Sequence, residues 1–244
     1  MSVPALDAST VIEPIRQLSD AGGAGVLCVI THVDGPSYRP LGAMMAVLED
    51  GRRIGTLSSG CVEADIALHA AKALDTNTPY TVRYGKGSPF ADIVLPCGGG
   101  LEIMLLPRPD VAVLNTLLSH HVARQACVLD VDQRSGALIA VTQGATGWTG
   151  DVFSIAIDPE IRFFIFGKGP ETATFAGLVQ AAGYPNLVLS PDGETIDAVG
   201  AAGCATQHLT HAHCPAGLGI DERSAVVLFF HDHEWEPPIL AEAL

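Results

Sequence analysis

The chain has 244 residues, of which 48% are hydrophobic and 16% charged, so it can form one large globular domain or two smaller ones. Acidic side chains outnumber Lys and Arg by 27 to 13, giving a formal net charge of −14 at pH 7. Because nucleic acids and anionic membranes attract cationic surfaces, this charge argues against both as partners. The N-terminal stretch lacks the pattern of a signal peptide, and no apolar run approaches the ~20 residues of a membrane span, so a cytoplasmic protein is expected.

The first part of the chain mixes helical and strand-like patterns. Apolar residues at helical spacing predict helices at residues 9–23, 58–75 and 110–124. Strand-like apolar runs lie at 25–33, 43–51, 53–57, 80–85 and 101–107, and a hairpin is predicted within 125–143 around the turn "QRSG". Because hairpins and helices are mixed in this part, we predict an α+β domain over residues 1–158.

The remainder, residues 159–244, has a different pattern. The stretch "IRFFIFGKGPETATFAGLVQAAGYPNLVLSPDG" at 161–193 reads as strand, glycine turn, helix and strand, which is a βαβ unit. A short helix at 195–203, an apolar strand at 224–231 and a final helix at 237–244 follow. The predicted fold class is therefore α/β, with the N-terminal α+β domain followed by an abbreviated Rossmann-like parallel α/β domain.

The motif "SSGCVEAD" at residues 58–65 places Cys61 where the second predicted helix begins. A helix N-terminus offers unpaired amides and a partial positive charge, which favour a thiolate, and Gly60 lets a ligand approach the backbone closely. A small apolar cysteine buried beneath the helix cap is the alternative. Glu63 is interpreted as an acid that matches the helix dipole rather than as a catalytic group.

The motif "LPCGGG" at 95–100 places Cys97 before three glycines, whose amides can converge on an anion. A plain turn between strands is the alternative. Cys28 and Cys127 lie inside strand-like apolar runs, where buried thiols are expected. Two glycine-flanked cysteines in one domain indicate a soft-ligand site for a metal or a sulfur-bearing cofactor.

Five motifs follow one another in a recognisable order: "VDGPSYRPLGAMMAV", "GTLSSGCVEADI", "LPCGGGLEIMLLP", "FFIFGKGPETATFAGL" and "VVLFFHDHEWEPPIL". Over nearly its whole length the chain resembles the XdhC/CoxI family, the accessory proteins of xanthine dehydrogenase. The resemblance implies a protein that binds the molybdenum cofactor (molybdopterin, with or without a nucleotide), protects it, assists its sulfuration and delivers it to a hydroxylase-type molybdoenzyme. A non-catalytic chaperone for cofactor insertion is therefore expected, and no catalytic residue is assigned.

The resemblance also implies which residues and partners take part. The family's cysteine motifs fall on Cys61 and Cys97, which become candidate contacts for molybdenum, and Ser59 replaces a glycine that the family usually has. Arg39 is the candidate cation for the anionic cofactor, with a plain surface arginine as the alternative. The candidate cofactor-binding residues are Arg39, Ser59, Gly60, Cys61, Cys97, Gly98, Gly99, Gly167, Gly169, His231 and Asp232. The expected partners are a client molybdenum hydroxylase, a cysteine desulfurase and a second copy of the chain.

Two features keep other functions open. The second part of the chain has Thr172 where a dinucleotide-binding motif has its third glycine, and Ser190 where an acidic ribose ligand would stand. NAD(P) is therefore not expected as a cofactor, and an NAD(P)-binding oxidoreductase is the alternative function. The stretch "CATQHLTHAHC" at 204–214 would suit a metal-binding or sensor protein, but its spacing matches no zinc module and a solvated loop is expected.

Overall fold

A computed structural model describes residues 6–89, 95, 98–231 and 234–243. The chain forms two compact units, Met1–Pro159 and Glu160–Leu244. Across the described ranges, no helix combines the length and the apolar composition needed to cross a membrane.

The described part of the first unit contains two sheets and three α-helices. Its strands are β1 (Leu6–Asp7), β2 (Gly25–Asp34), β3 (Met44–Leu48), β4 (Arg53–Ile54), β5 (Tyr80–Gly85), β6 (Gly100–Pro107), β7 (Cys127–Asp132), β8 (Leu138–Val141), β9 (Gly147–Thr149) and β10 (Val152–Asp158). Its helices are α1 (Ile12–Asp20), α2 (Glu63–Thr76) and α3 (Val111–Val122), with a 3₁₀ turn at Ala8–Thr10. Strands β3 and β4 form an antiparallel pair, and the hairpin predicted within residues 125–143 is confirmed as the antiparallel pair β7–β8.

One sheet of this unit, in the order β4-β3-β2-β6-β5, is antiparallel, and its central strands are buried on both faces. On one face, Ile66 of α2 packs in a cluster with strand residues such as Ile103. On the other face, Leu27 and its neighbours join a cluster formed with α1, α3 and the second sheet. Because both faces are covered, β2 is a continuous apolar run rather than an alternating one.

The second sheet of the first unit has the order β1-β10-β7-β8, with β9 paired to β10. Strand β10 has no counterpart among the predicted elements, although it pairs with β1, β7 and β9. Ser154 interrupts its apolar run, and the Ser154 hydroxyl donates a hydrogen bond of 2.6 Å to the Asp130 carboxylate on β7. The polar residue that weakens the strand pattern is therefore satisfied by the neighbouring strand.

The described part of the second unit is a parallel sheet with helices packed on it. Its strands are β11 (Arg162–Gly167), β12 (Asn186–Ser190), β13 (Ala205–His208) and β14 (Ser224–Phe229), and its helices are α4 (Pro170–Ala181), α5 (Gly193–Ala201) and α6 (Glu236–Ala243). The strand order β13-β12-β11-β14, parallel throughout, corresponds to strands 3-2-1-4 of the Rossmann order. The predicted fold class, an α+β part followed by an abbreviated Rossmann-like sheet, is confirmed.

Two predicted elements differ from the structure. Helix α2 begins at Glu63 rather than at residue 58, because Ser59 and Gly60 have φ values of 61° and 101° that a right-handed helix excludes. The stretch expected to be a solvated loop contains the strand β13, and all four residues of this strand are exposed. A polar strand at the edge of a sheet lacks apolar periodicity, so the sequence pattern did not indicate it.

Candidate functional site

Cys61 is exposed and lines a cavity of about 350 Å³ in the first unit. The cavity residues come from three separate stretches of the sequence: Pro36, Ser37, Tyr38, Ser58, Cys61, Leu95 and Leu101. The wall is mostly apolar, and the Cys61 thiol is its soft ligand group. This volume suits a small organic ligand. The alternative prediction, in which Cys61 is buried beneath the helix cap, is wrong.

One wall of the cavity is the loop that joins β2 to β3, and this loop packs against the glycine-rich segment before β6. A Cβ placed on Gly99 would lie 2.1 Å from the carbonyl oxygen of Pro36 and 3.1 Å from that of Asp34. No side chain fits at this position unless the loop moves. Gly99 therefore allows the two segments to approach each other closely.

The described neighbours of Cys97 place part of the "LPCGGG" motif at the same cavity. Leu95 lines the cavity, and the amide of Gly98 donates a hydrogen bond of 2.9 Å to the Leu95 carbonyl. Gly98 has a φ of 71°, with nothing within 4 Å of its Cβ position. Cys97 itself lies outside the described residues, so its contact with molybdenum stays a prediction.

Glu63 is buried, with 7% of its surface exposed, and both of its carboxylate oxygens accept hydrogen bonds. Oε1 accepts from the Thr56 hydroxyl at 2.5 Å and from the amides of Leu57 and Ser58 at 2.9 and 2.8 Å. Oε2 accepts from the Ser58 hydroxyl at 2.6 Å and from the Val62 amide at 3.2 Å. Burial raises the pKa of this carboxyl, but the hydrogen bonds from Ser58, Thr56 and Leu57 outweigh burial and hold the pKa at about 2.

These contacts extend the interpretation of Glu63 as a residue that matches the helix dipole. Glu63 does stand in the first turn of α2, but all five donor groups described above belong to the loop that precedes the helix. We call residues 56–62 the cysteine loop. The carboxylate joins the two ends of this loop, and Cys61 lies between them.

Within the cysteine loop, the chain turns sharply at Ser59 and Gly60, which are both in the left-handed region. The Ser59 amide donates a hydrogen bond of 3.1 Å to the Thr56 hydroxyl, and the Ser58 hydroxyl accepts one of 3.0 Å from the Val62 amide. Left-handed backbone favours glycine, so Ser59 stands at a position where glycine would carry less strain.

The predicted cation, Arg39, contacts a different part of the first unit. Its guanidinium donates a hydrogen bond of 3.3 Å to the Thr10 carbonyl, and Arg39 is not among the described residues that line the cavity. Two other cations lie beside the glycine-rich segment, at the end of β5. They are paired with acids, since Arg83 Nη1 is 2.8 Å from the Glu102 carboxylate and Lys86 Nζ is 3.5 Å from that of Asp34.

In the second unit, the glycine turn between β11 and α4 is filled by the protein itself. A Cβ on Gly167 would lie 2.5 Å from the Thr172 hydroxyl oxygen and 2.8 Å from Phe229 Cβ. The amide of Gly169 donates a hydrogen bond of 2.8 Å to the Thr195 hydroxyl. Thr172 is fully buried, and its hydroxyl has no hydrogen-bond partner among the described residues.

The acid that follows β12 serves as a helix cap. The Asp192 carboxylate accepts hydrogen bonds from the Thr195 amide at 2.9 Å and from the Thr195 hydroxyl at 2.5 Å. These hydrogen bonds from Thr195 lower the pKa of Asp192. Ser190 is buried, and its hydroxyl accepts a hydrogen bond of 3.1 Å from the Asp192 amide. Thr195 thus links the acid that follows β12 to the glycine turn before α4.

His231 is exposed and follows β14, whereas Asp232 lies outside the described residues. Because β14 and β11 are parallel and Phe229 pairs with Gly167, both strands end at the same edge of the sheet. His231 and the Gly167–Gly169 turn therefore share this edge, where ligands bind in open α/β sheets. The described residues that line the Cys61 cavity belong to the first unit.

The cysteines and histidines late in the chain have separate contacts. Cys204 is buried, with Sγ 3.7 Å from the Ala176 carbonyl, and His213 Nδ1 lies 2.8 Å from the Glu242 carboxylate. Within the part of the chain that the structure describes, no group of three or more His, Cys, Asp or Glu side chains is placed to hold a metal ion. Cys28 and Cys127 are buried, as predicted.

Sequence reasoning missed several residues of the site. Tyr38, 63% exposed, is an aromatic lining residue, and its signal was an aromatic side chain inside the polar stretch "GPSYRP". Leu101 lines the cavity from the start of β6. Thr56 and Ser58 could not be recognised from the sequence, because their contribution to the site is a pair of hydrogen bonds to Glu63 that exist only in the folded protein.

Comparisons with known proteins find a relative that matches nearly the whole chain. A sequence profile of the XdhC and CoxI family matches residues 18–85, which include the β2–β3 loop and Cys61. The molybdenum cofactor insertion chaperone PaoD of Escherichia coli is 34% identical over 242 residues, which cover 97% of this chain and 69% of PaoD. A probable xanthine dehydrogenase subunit of Bacillus subtilis is 26% identical over 195 residues, which cover 67% of this chain and 58% of that protein.

Among solved structures, the fold is similar to that of a xanthine dehydrogenase crystal structure from Bacillus halodurans, with a TM-score of 0.74. The sequence identity is 23%, and the match covers 91% of this chain and 74% of the other. At this identity the likeness supports the fold alone.

Proposed function

The chain belongs to the XdhC and CoxI family, and on this premise we propose that it is a molybdenum cofactor chaperone whose cargo site is the Cys61 cavity. It binds the molybdenum cofactor, protects it, supports its sulfuration and delivers it to a xanthine dehydrogenase-type molybdoenzyme. The names of the relatives in Escherichia coli and Bacillus subtilis, a cofactor insertion chaperone and a probable xanthine dehydrogenase subunit, support this assignment.

The observation that carries the proposal is an exposed thiol in a cavity of about 350 Å³ whose walls come from three motifs distant in sequence. Sulfur is a soft ligand that suits molybdenum, so the Cys61 thiol fits a cargo with a metal centre. The apolar residues Pro36, Leu95 and Leu101 fit the flat organic part of the cargo and keep water from it.

The anionic groups of the cargo need positive partial charges, since the chain as a whole has a net charge of −14. The N-terminus of α2 supplies the positive end of its dipole for this purpose, whereas in the glycine-rich segment the Gly98 amide is already bonded to the Leu95 carbonyl. Arg83 and Lys86 lie next to this segment and become available if an anionic ligand displaces Asp34 or Glu102.

The partners follow from this function. The client is a molybdenum hydroxylase, a cysteine desulfurase supplies the sulfur, the chaperone acts as a homodimer, and the site of action is the cytoplasm. An NAD(P)-binding oxidoreductase receives less support, because the Gly169 amide and the Asp192 carboxylate are hydrogen-bonded within the second unit.

Expression of the full chain in a host that makes molybdopterin tests the function. The purified protein is expected to carry about one equivalent of cofactor, identified by mass spectrometry of the extracted pterin. Cys61→Ser is expected to lower the occupancy about tenfold or more, as loss of a metal–sulfur contact would. Cys214→Ser is the matched control, because Cys214 is a partly exposed cysteine in the second unit. Parent protein without pterin, or equal occupancy in Cys61→Ser, would contradict the assignment.

A further inference from the structure

The cysteine loop depends on a single carboxylate behind it. Glu63 accepts hydrogen bonds from Thr56, Leu57 and Ser58 before the turn and from Val62 after it, all within 3.2 Å. The two residues before Cys61 have left-handed backbone, which is unfavourable for Ser59. The hydrogen bonds on both sides of the turn compensate for this cost and fix the turn in one conformation.

This arrangement differs from ordinary helix capping. A capping carboxylate accepts from the amides of its own helix, whereas Glu63 accepts from Leu57 and Ser58, which precede α2. Its contacts therefore order the loop rather than the helix. Ser58 lines the cavity, and its hydroxyl donates to Glu63, so the carboxylate also sets the direction of a polar group in the wall.

From this geometry we infer that Glu63 is a positioning residue: it holds the cysteine loop in the conformation that presents the Cys61 thiol to the cavity. Glu63 does not itself line the cavity, so it acts on the cargo through Ser58 and Cys61. The inference rests on the proposed function for its cargo, but the ordering of the loop is measurable without any cargo.

The decisive variant is Glu63→Gln, which keeps the size of the side chain and replaces one acceptor oxygen by an NH₂ donor. Each carboxylate oxygen of Glu63 accepts from at least one backbone amide, which cannot accept a hydrogen bond in return, so an NH₂ group in place of either oxygen loses at least one hydrogen bond. We expect hydrogen exchange at the amides of Leu57, Ser58 and Val62 to accelerate about tenfold, the factor that corresponds to one charge-assisted hydrogen bond.

The same variant is expected to release the cofactor about tenfold faster, measured as pterin passing an ultrafiltration membrane over time. Tyr84→Phe is the control for a general loss of stability. The Tyr84 hydroxyl donates a hydrogen bond of 2.7 Å to Asp65, which is also on α2 but outside the cysteine loop. This control is expected to lower the thermal midpoint while leaving the release rate and the loop amides unchanged.

Thr56→Val provides a second route if Glu63→Gln fails to fold. Thr56 does not line the cavity in the described structure, and its hydroxyl reaches the site only through Glu63 and the Ser59 amide. Faster release in Thr56→Val, by about threefold or more, would therefore trace the effect to the loop, since one weakened hydrogen bond is involved.

Each outcome decides between the two ideas. If the parent protein binds cofactor and Glu63→Gln releases it no faster than Tyr84→Phe does, the positioning role is wrong and the chaperone function stands. If the parent protein binds no cofactor, the chaperone function is wrong, and exchange at the loop amides still tests Glu63. Unchanged exchange in Glu63→Gln would overturn the positioning role in either case.

Discussion

Two glycine-containing turns lead into helices in this protein, the cysteine loop before α2 and the turn between β11 and α4. The first is hydrogen-bonded directly to Glu63, and the second is linked to Asp192 through the Thr195 hydroxyl. Glu63 contacts the cysteine loop from behind and leaves the Cys61 thiol exposed to a cavity. Asp192 acts through Thr195, whose hydroxyl donates to the Asp192 carboxylate and accepts a hydrogen bond from the Gly169 amide. That amide is therefore not available to donate to a phosphate.

The difference shows that a glycine turn before a helix does not by itself identify a ligand-binding site. What decides is whether the protein's own side chains satisfy the groups that the turn exposes. In the second unit Thr172 occupies the space against Gly167, and the turn is filled. In the first unit the hydrogen bonds are behind the loop, and the front is open.

Acidification should separate the two acids most clearly. The pKa of Glu63 in the folded protein, about 2, is below its usual value of 4.5, so its contribution to stability is complete above pH 4.5 and is lost as the pH falls to 2. The difference between these two pKa values corresponds to about 3 kcal/mol of unfolding free energy. The measurement is urea unfolding at several pH values, followed by the fluorescence of Trp148 in a Trp235→Phe background, so that the signal reports on the first unit. The unfolding free energy of this protein is compared with that of the same protein carrying Glu63→Gln. If Asp192→Asn changed the pH dependence of the stability of the second unit more than Glu63→Gln changes that of the first, the expected order of the two acids would be wrong.

Glycine substitutions test the close approach that shapes the open site. Gly99→Ala should cost about 2 kcal/mol and lower cofactor occupancy, because its Cβ would meet the Pro36 carbonyl at 2.1 Å. Gly98→Ala is the matched control, since it has left-handed backbone but open space, and should cost about 1 kcal/mol. Equal costs for the two variants, measured by urea unfolding, would show that the contact with the β2–β3 loop contributes nothing.

The turn between β11 and α4 is tested with a substitution that is expected to stabilise the protein. Thr172→Val removes a buried hydroxyl without a partner in the described structure, and should stabilise the second unit by about 1 kcal/mol. Trp235 fluorescence in a Trp148→Phe background reports on that unit during urea unfolding. Lower stability in Thr172→Val would mean that the hydroxyl has a role in the turn that its contacts do not reveal.

The smallest effect is expected at Ser59. Ser59→Gly relieves the left-handed backbone at φ 61°, and the extra freedom of glycine in the unfolded chain offsets part of the gain. A net stabilisation of about 0.5 kcal/mol is expected from these opposing contributions. Ser59→Ala keeps the strain and serves as the comparison in thermal unfolding.

Much of the fold was predictable because its elements carry strong local patterns. The apolar run of β2 and the βαβ pattern after residue 160 led to the right fold class. Strands β10 and β13 were missed, since Ser154 breaks one pattern and the other strand is exposed throughout. Such strands are recognisable only from their partners.

The site was predictable in part. Cys61 was predicted from its motif, and the structure places Cys61 and Leu95 on one cavity, whereas the binding roles of Gly60, Gly98 and Gly99 stay predictions. Arg39 instead contacts the Thr10 carbonyl, a contact between residues 29 positions apart in sequence. The role of Glu63 was hidden because acids in the first turn of a helix usually need no explanation beyond the dipole.

The cavity has a consequence for when the protein can act. Its walls extend from Pro36 to Leu101, so they meet only after β6 has paired with β2. A chain still being synthesised, with β6 inside the ribosome, has no site to offer. Under the proposed function, the cofactor is therefore taken up only after β6 has paired with β2, and by mass action its binding then makes the first unit harder to unfold.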